Sequence, residues 1–570
     1  MGIKYFFKWI KNNFSSALTP MKNEKLNQPI DVLLIDLNGI FHSSAQKIFK
    51  YGEYKEENLL FLKPKLETYN VLQEKVFVSV CEKIQNTLEI VCPKKKLILC
   101  TDGPAPIAKQ RQQRARRFAR AMESENEKTL FDSNAITPGT KFMDYLGRYI
   151  DFYIRKKISE KDVHWKDIEV IFSNEKVPGE GEHKLLNFFR KYGNKNETYC
   201  VFGMDADLIM LCLSTNHPNF YVLREEQYEP NVNFYFININ EIRKSLISKL
   251  NWNLTEEKEE IKSKFSFVDN QGINDFILMC FCVGNDFLPH IPGIEINENA
   301  LEIMFEIYKK IGNLYGHLSN HEFQLNPSIL KKFFKLLSTH EQKIFDKKIL
   351  EAEYYFENPI LKKNSVVVDN VPTVNIKSYK KEYYTTKFDS YSEEKVCFSY
   401  IEGLQWVLSY YTKGISNWKW YYPYNYAPFA STLAKHCSSF KQPIYETTHP
   451  TLPFIQLLSV LPPKSNRLIP APLCGLIAHG GLLKKYCPNK FEIDIDGMRQ
   501  KWEGVVIIPS IDYEEVEKFY KQFLDYVSEA DLRRNKISKS YVYRYSNSGY
   551  AFNSFYGNFD CHTSTDVIDL

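Results

Sequence analysis

Seven carboxylates stand where predicted strands, turns or helices end, which is where a parallel sheet places its chemistry. They are Asp36, Asp102, Glu180, Glu182, Asp205, Asp207 and Asp286. Any one of them alone is more often a helix cap or a turn residue than a ligand. Crowded at one sheet edge, however, they would repel one another unless cations neutralised them, and oxygen-only ligation suits Mg²⁺ or Mn²⁺. Two such ions can activate a water and stabilise the leaving oxygen in phosphodiester hydrolysis.

A basic segment follows the second of these carboxylates. Residues 108–122 carry six Lys or Arg side chains and no acidic residue. The side chains that share one face of a helix, and can converge on one anion, are Lys109, Gln113, Arg116 and Arg117. The simpler interpretation is a solvated basic face, because charge runs usually are that. The basic side chains left unassigned are Arg111, Arg114 and Arg120.

Short apolar runs separated by helical stretches predict an α/β fold with a largely parallel sheet. The predicted strands are 32–35, 97–100, 170–172, 199–202 and 220–223. Ligands bind at the carboxyl ends of the strands in such sheets, so the acidic residues are already placed where chemistry occurs. The apolar run 274–283 predicts a buried helix or strand.

The length of 570 residues allows two or three domains and a large core. We predict an α/β domain over 1–310, a helical connector over 311–390, a second region over 391–545 and a C-terminal tail over 546–570. The second region contains a predicted helix over 401–411. The polar stretch 362–380 is expected to be a connector and the tail, rich in Ser, Asn and Gly, to be loosely ordered.

Composition narrows the functional classes. The net charge of +5, from 74 basic and 69 acidic residues, is too small to imply polyanion binding by itself, so any nucleic-acid surface must be a local patch. The twelve cysteines include no C-x-x-C pair, which argues against zinc ribbons and redox dithiols and fits a reducing compartment. Nowhere do eighteen apolar residues run together, and the N-terminus lacks the pattern of a signal peptide, so the sequence predicts no membrane association.

Ten longer motifs occur in the order of one known family. The first group comprises LNGIFH, DGPAPIAKQRQQRARRF, FDSNAITPGTKFM, VPGEGEHK, GMDADLIML, LREE and GNDFLPH. The second comprises EGLQWVLSYY, WKWYYPYNYAP and LLSVLPPKSNRLIP. Over roughly residues 1–310 and 380–540 the chain resembles the XRN-type 5′→3′ exoribonucleases, which degrade RNA with a 5′-monophosphate. The resemblance implies an α/β core like that of PIN and flap nucleases, with a mostly parallel sheet flanked by helices and a second, mostly helical region packed against it.

The resemblance also implies roles for individual side chains. It makes the seven carboxylates the catalytic site for two Mg²⁺ ions, for which Mn²⁺ can substitute. The pocket for the 5′-monophosphate of single-stranded RNA, too small for a cap or a triphosphate, would consist of Lys109, Gln113, Arg116 and Arg117. His42 matches the family's histidine that stacks on the first base, with Trp420 or Trp418 as its partner. Without the family, His42 would be interpreted as a structural histidine.

The chain departs from the family pattern at two places, which bear on the type of family member that it resembles. Lys4 stands where the family usually has Pro, which puts the geometry of the N-terminal segment in doubt. Residues 227–251 contain neither Cys nor His, whereas nuclear members usually carry a zinc knuckle there. The chain therefore resembles the catalytic core of the cytoplasmic, mRNA-decay type. Decapping or helper factors stay open as protein partners.

The preferred hypothesis is a processive, metal-dependent 5′→3′ exoribonuclease that releases 5′-mononucleotides. Two alternatives stay open. A structure-specific DNA nuclease of the flap-endonuclease kind shares carboxylates at sheet ends, and an inactive RNA-binding scaffold would keep the basic face without the reaction.

Overall fold

A nine-stranded mixed sheet forms the centre of the protein. The structure is a computed structural model and describes residues 2–22, 24–54, 68–123, 130–227, 229–254, 264–388 and 392–570. The strands are β1 (Leu18–Met21), β2 (Val32–Asp36), β3 (Lys96–Cys100), β4 (Glu169–Ser173), β5 (Tyr199–Phe202), β6 (Phe220–Glu225), β7 (Phe234–Asn238), β8 (Ser365–Val368), β9 (Val371–Val374), β10 (Glu492–Asp494), β11 (Val505–Ile507), β12 (Ser540–Ser554) and β13 (Gly557–Ile568).

Helices cover both faces of the sheet and build the second region. Those of the first half are α1 (Phe6–Asn13), α2 (Leu37–Phe49), α3 (Tyr69–Val91), α4 (Ile107–Glu123), α5 (Lys141–Ser159), α6 (Gly181–Tyr192), α7 (Asp207–Ser214), α8 (Ile239–Leu250) and α9 (Asp269–Cys282). The remainder are α10 (Ala300–Tyr315), α11 (Pro327–Ser338), α12 (Glu341–Leu350), α13 (Pro359–Lys363), α14 (Ile376–Lys387), α15 (Glu393–Thr412), α16 (Ala430–His436), α17 (Pro453–Val460), α18 (Tyr513–Phe523) and α19 (Glu529–Leu532).

The sheet has the strand order β1-β7-β6-β5-β2-β3-β4-β12-β13. Its five inner strands, from β6 to β4, are mutually parallel, and the outer strands pair antiparallel. These inner strands are the five predicted from the sequence, and that prediction is confirmed. The carboxyl ends of β5, β2 and β3 therefore lie side by side at one edge.

Continuous apolar runs explain why these strands are central. Val32 and Leu34 of β2 belong to one hydrophobic cluster, and Leu33 and Ile35 belong to another on the opposite face. All four side chains are fully buried. A strand covered on both faces needs apolar residues at every position, as parallel strands between two helical layers do.

The second region shares the core of the sheet. Trp406 and Tyr411 of α15 and Phe281 of α9 lie in the same hydrophobic cluster as Val32. The run 274–283, predicted as a helix or strand, is part of the buried helix α9. The predicted helix 401–411 is the C-terminal half of α15. The second region thus packs against the α/β core, as the family resemblance implies.

Two expectations about the C-terminal half are wrong. The tail 546–570 is not loosely ordered, because β12 and β13 form a long hairpin that pairs with β4 and extends the main sheet. The polar stretch 362–380 is not a plain connector, because it holds the β8–β9 hairpin between α13 and α14. The β12–β13 hairpin is mostly polar, which composition alone mistakes for loop, whereas β8 and β9 are short valine-rich strands inside a polar stretch. Among the described helices, none combines the length and apolar character needed to cross a membrane.

Candidate active site

The carboxyl-end edge of the sheet gathers the acidic residues. Asp36 ends β2, Asp102 lies just beyond β3, and Asp205 lies just beyond β5. Glu180 immediately precedes α6, and Glu182 lies in the first turn of that helix. Asp207 begins α7, and Asp286 follows α9. All seven residues interact electrostatically with other members of the group. The structure therefore brings the predicted carboxylates together into one acidic cluster.

Burial and neighbouring negative charges oppose ionisation of Asp36, Glu182 and Asp207. Burial, with the charges of Asp102 and Asp205, raises the pKa of Asp36 to about 7. Burial, with Asp205 and Asp286, raises the pKa of Asp207 to about 7. Burial and Asp205 also raise the pKa of Glu182, whose Oε2 is buried with no hydrogen-bond partner. Both observations indicate a site that needs additional positive charge.

Lys109 supplies part of that charge from α4. Its Nζ lies 2.5 Å from Glu180 Oε2 and 2.7 Å from Asp286 Oδ2. Burial opposes ionisation of Asp286, but the Lys109 ammonium lowers its pKa below the ordinary value. Gln112 adds a contact, with Nε2 3.4 Å from Asp286 Oδ1. Lys109 thus faces the acidic cluster, whereas the sequence grouped it with the phosphate-binding face.

A chain of local hydrogen bonds fixes the acids that follow β2 and β3. Asp36 caps α2 by accepting from the Asn38 N–H at 3.3 Å, and Asn38 Oδ1 accepts from the Asp102 N–H at 3.1 Å. Asp102 Oδ1 in turn accepts from the Gly181 N–H at 2.7 Å. A Cβ at Gly181 would lie 2.5 Å from Asp36 Oδ1, so only glycine allows this approach.

Two consecutive tyrosines of α15 reach the cluster from the second region. The Tyr410 hydroxyl donates to Glu180 Oε1 at 2.8 Å, and the Tyr411 hydroxyl donates to Asp207 Oδ2 at 2.9 Å. His183, which the sequence left unassigned, stacks on Tyr410 with ring centroids 3.6 Å apart. The sequence motif EGLQWVLSYY contains both tyrosines but does not indicate their partners. Their contacts join residues more than two hundred positions apart, and no local spacing signals that.

The N-terminal segment holds Asp207 from another side. The Ile3 N–H donates to Asp207 Oδ1 at 3.2 Å. Gly2 has a φ of 47°, and a Cβ there would lie 2.1 Å from the same oxygen. Glycine is therefore required at position 2 both by its backbone conformation and by the close carboxylate.

The residues predicted to bind the phosphate lie in different environments. Arg116 is exposed, whereas Arg117 is 6% exposed and its Nη1 is buried with no hydrogen-bond partner. Burial and Arg116 lower the pKa of Arg117 to about 9, against the opposing charge of Asp102. Burial, together with these two arginines and Arg120, also lowers the pKa of His42 to about 3, so this imidazole is neutral beside them. A buried guanidinium nitrogen without an acceptor suits an anionic ligand.

Gln113, the fourth residue of that face, is 3% exposed, and its Oε1 lies 3.4 Å from Gln456 Nε2. The two candidate tryptophans also differ. Trp420 is buried and stacks on Trp406 with centroids 4.8 Å apart. Trp418 is only half-buried, and its carbonyl accepts from the N–H of Ile107 at the start of α4. The accessible candidate for a base-stacking partner is therefore Trp418.

The three arginines to which the sequence assigned no role contact residues outside α4. Arg114 is buried and donates to the Ser459 carbonyl at 3.0 Å and to the Tyr486 carbonyl. Arg111 donates to Asn425 Oδ1 at 3.1 Å. Arg120 lies over the ring of Tyr51. The interpretation as a solvated face is wrong for Arg114, which ties α4 to the second region.

The donor chemistry of the cluster fits hard divalent cations. Every predicted ligand is a carboxylate, the oxygen donor that Mg²⁺ and Mn²⁺ prefer. The buried Oε2 of Glu182, which has no hydrogen-bond partner, is a carboxylate oxygen that could bind such a cation. Within the described residues, no group of three His, Cys, Asp or Glu side chains is already arranged to hold an ion.

A parallel sheet with acidic strand ends beside a basic helix defines the class, which is a nuclease-type α/β core. Comparison with known proteins is more specific. A family model described as "XRN 5'-3' exonuclease N-terminus" matches residues 1–226, and one described as "Xrn1 helical domain" matches 266–375 and 362–566. The chain belongs to the XRN family of 5′→3′ exonucleases.

Curated relatives agree over most of the chain. Human 5′-3′ exoribonuclease 1 is 30% identical, across 95% of this chain and 35% of its own length. The Saccharomyces cerevisiae 5′-3′ exoribonuclease 1 is 27% identical, across 96% of this chain and 45% of its own length. The Drosophila melanogaster 5′-3′ exoribonuclease 2 homolog is 27% identical, across 95% of this chain and 73% of its own length. The chain thus spans between about a third and a half of the two exoribonuclease 1 relatives.

Proposed function

We propose that this chain is a processive, metal-dependent 5′→3′ exoribonuclease that hydrolyses single-stranded RNA carrying a 5′-monophosphate. The observation that carries the proposal is the position of Arg117 beside the acidic cluster. Its guanidinium is buried, and its Nη1 has no hydrogen-bond acceptor. Relatives named 5′-3′ exoribonuclease, matched over nearly the whole chain, support the direction and the RNA substrate.

The first turn of α4 and the turns that follow it have different roles. Arg116, Arg117 and Gln113 bind the terminal phosphate, and His42, neutral at physiological pH, stacks on the first base with Trp418. Lys109 orients Glu180 and Asp286 from the acidic side. Because the terminal phosphate is held at a fixed distance from the carboxylates, the first internucleotide phosphate is presented to them. Stacking and phosphate contacts tolerate any base, which suits a processive enzyme.

The seven carboxylates would hold Mg²⁺, with Mn²⁺ able to substitute, and two ions match their number. When bound, such ions supply an activated water and stabilise the leaving oxygen. The protein contributes a partly buried cluster in which Tyr410 and Tyr411 fix the orientation of two carboxylates. Hydrolysis then releases a 5′-mononucleotide and leaves a new 5′-phosphate on the RNA.

A degradation assay tests the activity. End-labelled single-stranded RNA with a monophosphate, triphosphate or hydroxyl 5′ end is incubated with and without Mg²⁺. We expect mononucleotides from the monophosphate substrate, only with the metal present. Release of product from a DNA flap but not from RNA would favour a flap nuclease, and no product from either would favour an inactive RNA-binding scaffold.

A double variant tests the phosphate pocket. In Arg116→Ala with Arg117→Ala, the preference for 5′-monophosphate over 5′-hydroxyl RNA should fall by at least about tenfold, because charge-assisted contacts contribute about 1.5–3 kcal/mol each. Isothermal titration with Mg²⁺ should show metal binding close to that of the wild type. An unchanged end preference would refute the pocket.

We also propose that the chain acts in cytoplasmic mRNA decay. The absence of Cys and His in 227–251, where nuclear members usually carry a zinc knuckle, favours this assignment. Imaging a fluorescent fusion of the full protein tests it, and an exclusively nuclear signal would refute it.

A further inference from the structure

The β8–β9 hairpin carries a run of valines that face solvent. The exposed fractions of Val366, Val367 and Val368 on β8 are 53%, 70% and 50%, and that of Val371 on β9 is 48%. Single exposed apolar side chains are ordinary, but a contiguous exposed group marks an interaction surface. The two strands form a sheet of their own, separate from the main sheet. The hairpin therefore combines exposed apolar side chains with strand edges that the main sheet does not cover.

The turn of the hairpin determines which backbone groups point outward. Both residues of the turn, 369–370, have positive φ values, 50° and 65°, as a type I′ turn requires. Such a turn closes on a hydrogen-bonded pair, which here is Val368 with Val371. Hydrogen-bonded and non-hydrogen-bonded pairs alternate along an antiparallel ladder. The next pair, Val367 with Pro372, is therefore non-hydrogen-bonded, and its backbone polar groups point away from the partner strand.

The outer edges of the two strands differ. On β9, Pro372 has no N–H. The Val374 N–H donates to Asp346 Oδ1 at 2.8 Å, and the Val374 carbonyl accepts from Gln342 Nε2 at 2.8 Å. On β8, no residue that the structure describes outside the hairpin forms a hydrogen bond with the N–H or the carbonyl of Val367. Proline and covering side chains are means by which proteins block an edge strand, so of these two strands β8 has the unblocked edge.

The base of the hairpin is fixed by the helices on either side of it. The Asn375 N–H donates to the Asn364 carbonyl at 2.8 Å, and Asn364 Nδ2 donates to Glu382 Oε2 at 2.7 Å. Ser365 Oγ donates to the Leu361 carbonyl at 2.7 Å. These contacts with α13 and α14 hold β8 extended before any partner arrives, which lowers the entropy lost when the strand pairs.

We infer that β8 pairs antiparallel with β8 of a second copy of this chain, about a two-fold axis at Val367. In that register the two Val367 residues exchange their N–H···O=C bonds, and Val366 lies opposite Val368 of the second copy. An antiparallel pair of identical strands is self-complementary, as a two-fold contact requires. The pairing produces a four-stranded sheet whose outer strands are the two copies of β9. Because the edges of β9 are blocked, the assembly ends at a dimer.

Charges at the two ends of β8 favour the same partner. Lys363 precedes the strand and Asp369 follows it. Pairing about Val367 places Ser365 opposite Asp369 of the second copy, so Lys363, two residues earlier, lies beside that carboxylate. Lys363 Nζ is 2.7 Å from Glu382 Oε1, but the lysine side chain is 72% exposed and accessible to a second carboxylate. The two-fold axis repeats this match at both ends of the contact.

Sedimentation equilibrium of the full chain over a series of concentrations tests the pairing. Two short strands make a small contact, so the dimer should be weak and concentration-dependent. The weight-average mass of the wild type should rise from 67.0 kDa at low micromolar concentration towards twice that value at hundreds of micromolar. Val367→Pro removes the outward N–H, as Pro372 already does on β9, so the dissociation constant should rise by at least about tenfold.

A charged variant and its control show whether the dimer uses this edge. Val367→Lys places like charges opposite each other at the two-fold axis and should also weaken the dimer by at least about tenfold. Val163→Lys, at a valine that is 71% exposed elsewhere on the surface, should keep the wild-type mass curve. A wild-type mass that stays at 67.0 kDa at every concentration would overturn the inference. Equal dimerisation of the wild type and all three variants would overturn it as well, because the dimer would then use another surface.

A cross-linking experiment tests the register and keeps the inference testable if Val367→Pro folds poorly. In the proposed pair the two Cα atoms at position 367 lie about 5.5 Å apart, within the range that a disulfide spans. Under mild oxidation, Val367→Cys should therefore form a covalent dimer several times faster than Val163→Cys, whose position is equally exposed. The wild type supplies the background from the native cysteines. Equal rates for the two variants would contradict pairing at Val367.

Discussion

At the scale of single residues, the two tyrosines of α15 explain how carboxylates from different elements keep their orientation. Tyr410 and Tyr411 are adjacent in sequence, so their side chains leave the helix about 100° apart and reach different partners. One holds Glu180 and the other holds Asp207. A hydroxyl that donates to a buried carboxylate stabilises its ionised form, which is the form that binds a cation.

Replacing Tyr411 by Phe tests this positioning role. Tyr411→Phe removes one charge-assisted hydrogen bond and keeps the buried ring, so the Mg²⁺ concentration that gives half-maximal activity should rise by about tenfold. Initial rates of RNA degradation over a Mg²⁺ titration measure it. The matched control is Tyr383→Phe, which removes a buried hydroxyl that donates to the Ala427 carbonyl at 2.9 Å, away from the site. If both variants keep the Mg²⁺ dependence of the wild type, Tyr411 has no role in orienting Asp207.

Asp36, Asp102 and Asp205 could be predicted from the sequence because each lies at the end of an apolar run or within three residues of it. The role of Lys109 could not, because helical spacing places it on the same face as Arg116 without indicating what that face meets. In the structure, Lys109 on the first turn of α4 contacts the acids, whereas Arg117, about two turns further along the same helix, lies beside Arg116 and His42. The contacts of Tyr410 and Tyr411 with the acids could not be predicted either, because only the tertiary fold brings α15 next to α6 and α7.

At the scale of elements, the inner strands were predictable and the outer hairpin was not. A parallel strand buried on both faces requires a continuous apolar run, which is conspicuous in a sequence. In β12 and β13, by contrast, buried residues such as Tyr543 and Cys561 stand among exposed Ser, Asn and Asp. The hairpin is stabilised by its pairing with β4 and its contact with α5, and neither is visible from composition.

Truncating Tyr543 tests whether this hairpin contributes to the stability of the main sheet. Its ring is fully buried and its hydroxyl donates to Asp151 Oδ1 at 2.6 Å. Tyr543→Ala should lower the free energy of unfolding by about 3 kcal/mol, as large-to-small changes of buried aromatic residues do. Chemical denaturation followed by circular dichroism measures it. Phe555→Ala, at the 90% exposed turn between the two strands, should stay within about 0.5 kcal/mol of the wild type. Equal midpoints for both variants would mean that the hairpin folds without stabilising the sheet.

At the scale of the whole molecule, the second region and the α/β sheet form one cooperative structure around the acidic cluster. Arg114 donates to carbonyls of the second region, Tyr410 and Tyr411 approach the acids from it, and one hydrophobic cluster spans both regions. The electrostatic repulsion among the carboxylates is therefore opposed by packing throughout the protein. A cation bound at the cluster should stabilise the entire fold, since a ligand specific for the native state raises its stability by mass action.

Thermal unfolding tests this coupling independently of activity. Saturating Mg²⁺ should raise the unfolding temperature of the wild type by a few degrees at constant ionic strength, because a ligand at about one hundred times its Kd adds about 2.7 kcal/mol. Asp36→Asn removes a carboxylate from the cluster and should lose most of that increase. Asp560→Asn, at an exposed aspartate of β13, should keep it. The same increase in all three proteins would place the stabilising cation elsewhere, and the acidic cluster would then have to be stabilised by Lys109 and packing alone.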